Sequence, residues 1–188
     1  MARASCPDCR RLTVHCVCCL VTPIVARTAV TLIQFPGEEK HPLGTAALVE
    51  RSLVNCQLLR TEVVTELQAR PGAVVLFPGP GSCCLTELAS PPEELVVIDG
   101  TWRKALRLYE QSPALQALPK VHLPLADQSR YLLRRSRKTG ALSTVEAVMA
   151  ALAIIEPQLE LGPLNQAFEG LIARALDRLP AEVRAQYQ

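Results

Sequence analysis

The run Leu95-Val-Val-Ile98 sets consecutive apolar side chains next to one another with no polar residue between them. A strand with one wet face alternates in polarity. A strand apolar at every position is buried on both faces, which is the habit of a parallel sheet with helices on each side. Ala73–Phe77 (AVVLF) repeats the pattern, and Thr28–Phe35 (TAVTLIQF) reads as the first strand. The fold class this implies is α/β, a mostly parallel sheet flanked by helices. Leu95–Ile98 runs straight into Asp99, Gly100, Thr101 and Trp102, after which Lys104–Glu110 reads as a helix. A strand end, a tight turn and a helix start are where open α/β sheets place ligands. The competing reading is a helix cap by Asp or Thr, with the lone tryptophan packed into the core. Spacing alone does not separate the two.

The other elements follow from periodicity and punctuation. Gly44–Leu53 reads as a helix with Ala47, Leu48 and Leu53 inward, and Cys56–Val63 as a strand. Glu62–Arg70 reads as a short helix stopped by Pro71-Gly72, and Lys120–Leu123 as a short strand. Pro78-Gly-Pro-Gly81 is a turn without bulky side chains, open to close approach by a ligand. Cys83 and Cys84 read as small buried residues. Ser112-Pro113 ends the helix after Trp102. Ser143-x-x-Glu146 is a capping box. The helix it opens, Thr144–Ile155, is apolar on nearly every side and must be buried. Its N-terminus is suited to an anion. Leu164–Leu179 reads as a final amphipathic helix.

With 188 residues, nearly half of them apolar, the chain is one domain with room for a small appendage. No apolar run reaches membrane-spanning length and the first residues have no apolar signal core, so the expectation is a soluble, cytoplasmic protein. In that setting cysteines point to metal rather than to disulfides. Five of the eight fall within the first nineteen residues. Cys6, Cys9, Cys16 and Cys18 form C-x2-C-x6-C-x-C, four thiolates on two short turns that can close a tetrahedral shell around a structural zinc. Cys19 is the alternative fourth ligand. A redox pair at Cys6 and Cys9 is the weaker reading.

The net charge of +2 conceals an asymmetry. Between Asp99 and Lys138 nine Lys and Arg face three acids, a local +6. A basic strip on a nearly neutral protein suggests a polyanionic partner, though a solvated charged face is the ordinary alternative. Arg130, Arg134, Arg135, Arg137 and Lys138, extended by Arg103 and Arg107, are the candidate phosphate contacts.

Taken in order, the cysteine cluster, Asp99-Gly-Thr-Trp102, Tyr131-Leu-Leu-Arg134-Arg135 and Leu142-Ser-Thr144-x-Glu146-Ala147 resemble the DTW-domain proteins, tRNA-uridine aminocarboxypropyltransferases. The resemblance runs from the cysteines to about Ile155. Within it, Lys40–Ala47 departs from the family's Asn-Thr-Gly-Arg-like segment but keeps Lys40 and Thr45. The resemblance implies S-adenosylmethionine as donor, tRNA as partner, and transfer of the 3-amino-3-carboxypropyl group to N3 of a uridine. It implies a SPOUT-like, knotted fold, which chain-topology rules alone would never suggest. It divides the chain into a zinc-binding segment, 1–27, packed on a catalytic domain, 28–188. Asp99 and Trp102 become the catalytic candidates: Asp99 as base or as an electrostatic anchor, Trp102 as a wall beside the donor or a partner for its cationic sulfur. Thr45, Pro78, Gly79, Gly100, Thr101, Leu142, Ser143 and Thr144 become candidates for holding the donor. The rival functions are an S-adenosylmethionine-dependent RNA methyltransferase and a non-catalytic, zinc-containing RNA-binding module. The oligomeric state is left open.

Overall fold

The computed structural model describes residues 4–9, 12–41, 44–124 and 142–178. In chain order these form β1 (Ala29–Gln34), α1 (Ala46–Ser52), β2 (Cys56–Arg60), β3 (Val74–Leu76), β4 (Cys83–Cys84), β5 (Glu94–Asp99), α2 (Trp102–Gln111), α3 (Pro113–Gln116), β6 (Lys120–His122), α4 (Thr144–Ile155) and α5 (Gly162–Leu176). The strands make one six-stranded sheet in the order β2-β1-β5-β3-β6-β4. Every neighbouring pair is parallel.

The central strands, buried on both faces, serve two cores at once. Val30 and Leu32 of β1 and Leu95 and Val97 of β5 face α1, α4 and α5 on one side of the sheet. Ile33 and Val96 face the other side, against Ala105 and Leu108 of α2 and Leu115 of α3. Alternation along a strand makes this division automatic. Each fully buried side chain of this kind contributes roughly 1.5–3 kcal/mol relative to exposure.

α4 fits the requirement that a helix apolar all round be buried: Val145, Val148, Ala151, Leu152 and Ile155 are buried, and only Ala153 is exposed. Its start carries the expected capping box, with Ser143 and Glu146 each satisfying the other's backbone N–H. At its other end, Glu156 accepts the backbone N–H groups of Thr28 (2.6 Å) and Arg27 (3.0 Å), tying α4 to the entrance of β1.

The N-terminal residues are seated on this framework. Ile24 bridges in parallel to Leu53, and Cys9 and Val17 are buried in the core shared with α4 and α5. No described helix is long and apolar enough to cross a membrane.

Two expectations are corrected. Residues 62–70 are not a helix. The stretch is rich in β-branched residues, and Val64 takes its hydrogen bonds from the α2–α3 junction, donating to Ser112 Oγ (2.8 Å) and accepting from the Ala114 N–H (3.2 Å). Cys83 is exposed and Cys84 only half-buried. They form a two-residue strand on the edge of the described sheet, paired among the described residues with β6 alone.

Candidate active site

The topology singles out one place at the carboxyl end of the sheet. The chain leaves β1 through α1 on one face to reach β2, and leaves β5 through α2 and α3 on the other face to reach β6. β1 and β5 are adjacent, so their exits diverge, and this is where open α/β sheets place the ligand crevice.

The two strands end in register on Gln34 and Asp99. Asp99 is 7% exposed. Its Oδ2 accepts a hydrogen bond from Gln34 Nε2 (2.8 Å), and its Oδ1 accepts one from the Thr144 hydroxyl. Gln34 Oε1 in turn accepts from Arg60 Nε, 3.0 Å away at the end of β2. A chain of polar contacts thus runs from Arg60 through Gln34 and Asp99 to Thr144, joining β2, β1, β5 and the first turn of α4.

The structure brings three loops that hold candidate donor residues to this one end of the sheet. The 99–102 turn follows β5, Pro78 and Gly79 follow its neighbour β3, and Ser143-Thr144 reach Asp99 through the hydrogen bond just described. Their hydroxyls are engaged within the protein. Thr45 Oγ1 accepts the Val145 N–H (3.2 Å), and Ser143 Oγ accepts the Glu146 N–H (3.4 Å). Thr144 is committed to Asp99. All three hydroxyls are buried and turned into the protein, so what this rim offers a ligand is mainly backbone. Leu142, just before them, is half-buried. Thr101 caps α2, accepting from the Lys104 N–H at 3.4 Å, and a side chain added at Gly100 would come up against Phe35 and Lys104. Pro78 and Gly79 form an exposed turn with φ at +148° on Gly79. Ser82 closes it, donating to the Gly79 carbonyl (2.7 Å) and meeting His122 Nδ1 (2.9 Å).

Trp102 does not pack into the core. It is 44% exposed and lies parallel to Phe77, with ring centroids 5.4 Å apart, while Phe77 also stacks on Tyr109. An aromatic shelf therefore stands beside the crevice. Arg103 is exposed on the same helix, and Arg107, also exposed, pairs with Glu62 at 3.4 Å. Arg130, Arg134, Arg135, Arg137 and Lys138 lie outside the described residues.

On the β1–β2 side of the crevice is a hollow of about 140 Å³, bordered by Gln34, Arg60, Glu38, Glu39, Gly44 and Cys9. Sequence reasoning missed Gln34 and Arg60. The available signal was a polar residue ending each of two strands, but only the pairing register reveals that both lie beside Asp99.

Cys9 belongs also to the cysteine cluster. The sulfurs of Cys6, Cys9, Cys16 and Cys18 all lie within 4.8 Å of one another. Cys6 and Cys18 are 3.9 Å apart, and Cys9 and Cys16 are 3.8 Å apart. A tetrahedral shell with metal–sulfur bonds of about 2.3 Å requires sulfur separations of about 3.8 Å. The geometry fits a metal ion. Backbone N–H groups of Cys9 and Asp8 bring the Cys6 thiol down to about 7, whereas burial and the neighbouring sulfurs push Cys18 up to about 12. Sulfurs this close cannot all ionise without a cation among them, and a bound dication reverses that opposition. Cys19 stands outside the group: it is exposed and its sulfur accepts from Arg174 (3.1 Å).

The DTW domain family model matches residues 3–176. A tRNA-uridine aminocarboxypropyltransferase 2 of Drosophila melanogaster is 32% identical, over 85% of this chain and 69% of its own length. The enzyme of the same name from Macaca fascicularis is 28% identical over 82% of this chain and 57% of its own length. A tRNA-uridine aminocarboxypropyltransferase A of Arabidopsis thaliana is 27% identical over 84% of this chain and 75% of its own. No solved structure matches the chain. With the family model covering the cysteine cluster, the 99–102 turn and the start of α4 alike, the chain belongs to the DTW-domain family.

Proposed function

We propose that this protein is a tRNA-uridine aminocarboxypropyltransferase, moving the 3-amino-3-carboxypropyl group of S-adenosylmethionine to N3 of a tRNA uridine. The observation that carries this reading is the match of the DTW domain over residues 3–176, together with relatives bearing that name. The divergent crevice at Asp99 supplies a place for the chemistry.

In the reaction, N3 attacks the arm's terminal methylene in line with the carbon–sulfur bond. The bonding pair returns to sulfur, the N3 proton leaves, and neutral 5'-methylthioadenosine is released. Which arm of the sulfonium reacts is decided by how it is held. We assign Asp99 the electrostatic role: a buried carboxylate fixed by Gln34 and Thr144 attracts the sulfonium with little reorganisation. Carboxylate oxygens have further lone pairs, so a part in accepting the N3 proton is compatible with this role. Trp102 forms the wall beside the cation. The backbone of Pro78, Gly79, Gly100, Thr101 and Leu142–Thr144 surrounds the adenosine. Arg103, Arg107 and the basic residues of 130–138 meet tRNA phosphates.

The same proposal takes the fold as SPOUT-like and knotted. It is supported by the all-parallel sheet and by the seating of α4 against the end of β5; the segment 125–141 that would complete the crossing lies outside the described residues. It assigns residues 1–27 to a segment holding one structural zinc through Cys6, Cys9, Cys16 and Cys18, residues 28–188 to the catalytic domain, and the protein to the cytoplasm.

The test is to incubate the protein with S-adenosylmethionine and tRNA, then analyse nucleosides and small products by mass spectrometry. Aminocarboxypropyl-uridine with methylthioadenosine is the expected pair. Methylated nucleoside with S-adenosylhomocysteine would make the protein a methyltransferase instead, and tRNA binding without either product would leave a binding module.

A further inference from the structure

The geometry points to the hollow beside Gln34 and Arg60 as the seat of the donor's amino-acid end, with Arg60 holding its carboxylate and Glu39 its ammonium. The inference rests on the proposed donor, and it names a subsite distinct from the loops that surround the adenosine.

Transfer of this particular arm demands that the arm be gripped. Its far end is a zwitterion, so the grip needs a cation and an anion that do not already satisfy each other. The hollow supplies such a pair. Arg60 is anchored by Nε to Gln34 Oε1, and its two terminal nitrogens make no hydrogen bond or ion pair among the described residues. That leaves the end of a guanidinium fork pre-aimed for a carboxylate. Glu39 borders the same hollow. One of its oxygens accepts the Gly37 N–H (2.7 Å) and the other is unengaged among the described residues. No ion pair joins Arg60 to Glu39. The neighbouring acid, Glu38, is already paired with Lys104 at 2.7 Å, which leaves Glu39 as the receptor for the ammonium.

Size and position agree. About 140 Å³ suits a short polar arm and is too small for a nucleoside. From the turn after β3 to the end of β2 is three strand spacings, about 14 Å, so a donor lying across the rim would place its sulfur over β5 and β1. Asp99 and Gln34 end those two strands.

Calorimetry with S-adenosylmethionine and with methylthioadenosine, which lacks the arm, tests this on the full chain. Arg60→Ala is expected to weaken S-adenosylmethionine by about 10-fold or more while changing methylthioadenosine by less than about 2-fold. Arg60→Lys, which keeps the charge, should recover part of the loss. Equal weakening of both ligands would overturn the inference, because Arg60 would then be supporting the crevice rather than the arm. So would no change in either. If the unmutated protein binds neither compound, the proposed function itself falls, an outcome distinct from the other two.

Discussion

At Asp99 the side chain's neighbours allow charge to be separated from shape. Its two oxygens receive one amide donor and one hydroxyl. A hydroxyl can turn from donor to acceptor, so an asparagine there can keep both contacts, accepting from Gln34 and donating to Thr144. Asp99→Asn should therefore leave the thermal midpoint nearly unchanged while removing the anion, and turnover should fall by about 100-fold or more. Asp99→Ala strands both donors in a buried place and should cost about 1–3 kcal/mol of stability as well. Steady-state rates beside thermal melts separate the two effects. Full activity in Asp99→Asn would rule out the electrostatic role. Asp99 itself was legible because a carboxylate at a buried strand's end is conspicuous. Its partners were not: Gln34 lies far away in sequence, and only the β1–β5 register makes the two residues neighbours. Ser143 caps α4 as its Ser-x-x-Glu spacing implied, whereas the engagement of Thr45 with the Val145 N–H and of Thr144 with Asp99 depends on contacts that sequence spacing does not show.

Among the elements, α4 was the most legible, since a capping box and a continuous apolar run fix both its ends. The 62–70 stretch was the least, because its local pattern lost to the contacts Val64 makes with the α2–α3 junction. Two predictions belong at this scale. Burial opposes the charge on Glu156, but the Thr28 and Arg27 N–H groups and the Arg27 guanidinium outweigh it and hold its carboxyl below the usual range. A lowered native value means stability that is present at neutral pH and is lost as pH falls through that value. Glu156→Gln should thus be destabilised at pH 7 by about 1–3 kcal/mol in urea melts. Its gap to the unmutated protein should close on acidification below the ordinary carboxylate range; a gap independent of pH would refute the pin. The second prediction concerns the cysteine turns. Cys18→Ser should lose the metal and expression, whereas Cys19→Ser should retain about one zinc per chain by elemental analysis, because Cys19 is turned toward Arg174. Zinc retained by the first variant and lost by the second would invert the ligand assignment.

For the molecule as a whole, the parallel α/β class could be read from two unbroken apolar runs and a third strand-like segment, but the strand order could not. Insertion of β5 between β1 and β3 creates the divergence at Asp99, and nothing local announces which strands will be neighbours. That order also gives the molecule a working side. α2 begins beside Asp99, carries Trp102 and exposes Arg103 and Arg107, so a polyanion drawn to this helix would arrive next to that carboxylate. Residues 130–138 contribute five further cations to the same stretch of sequence. If tRNA is held there by phosphate contacts, its affinity should fall linearly on a logarithmic salt scale, with a slope of about 0.7–0.9 per neutralised phosphate. Reversing Arg134 and Lys138 to glutamate should weaken tRNA binding and flatten that slope by about 1.4–1.8. S-Adenosylmethionine affinity should stay as it was, because the subsites proposed for the donor use other residues. A salt slope unmoved by the double reversal would take tRNA off this strip and require it to approach the crevice from another side.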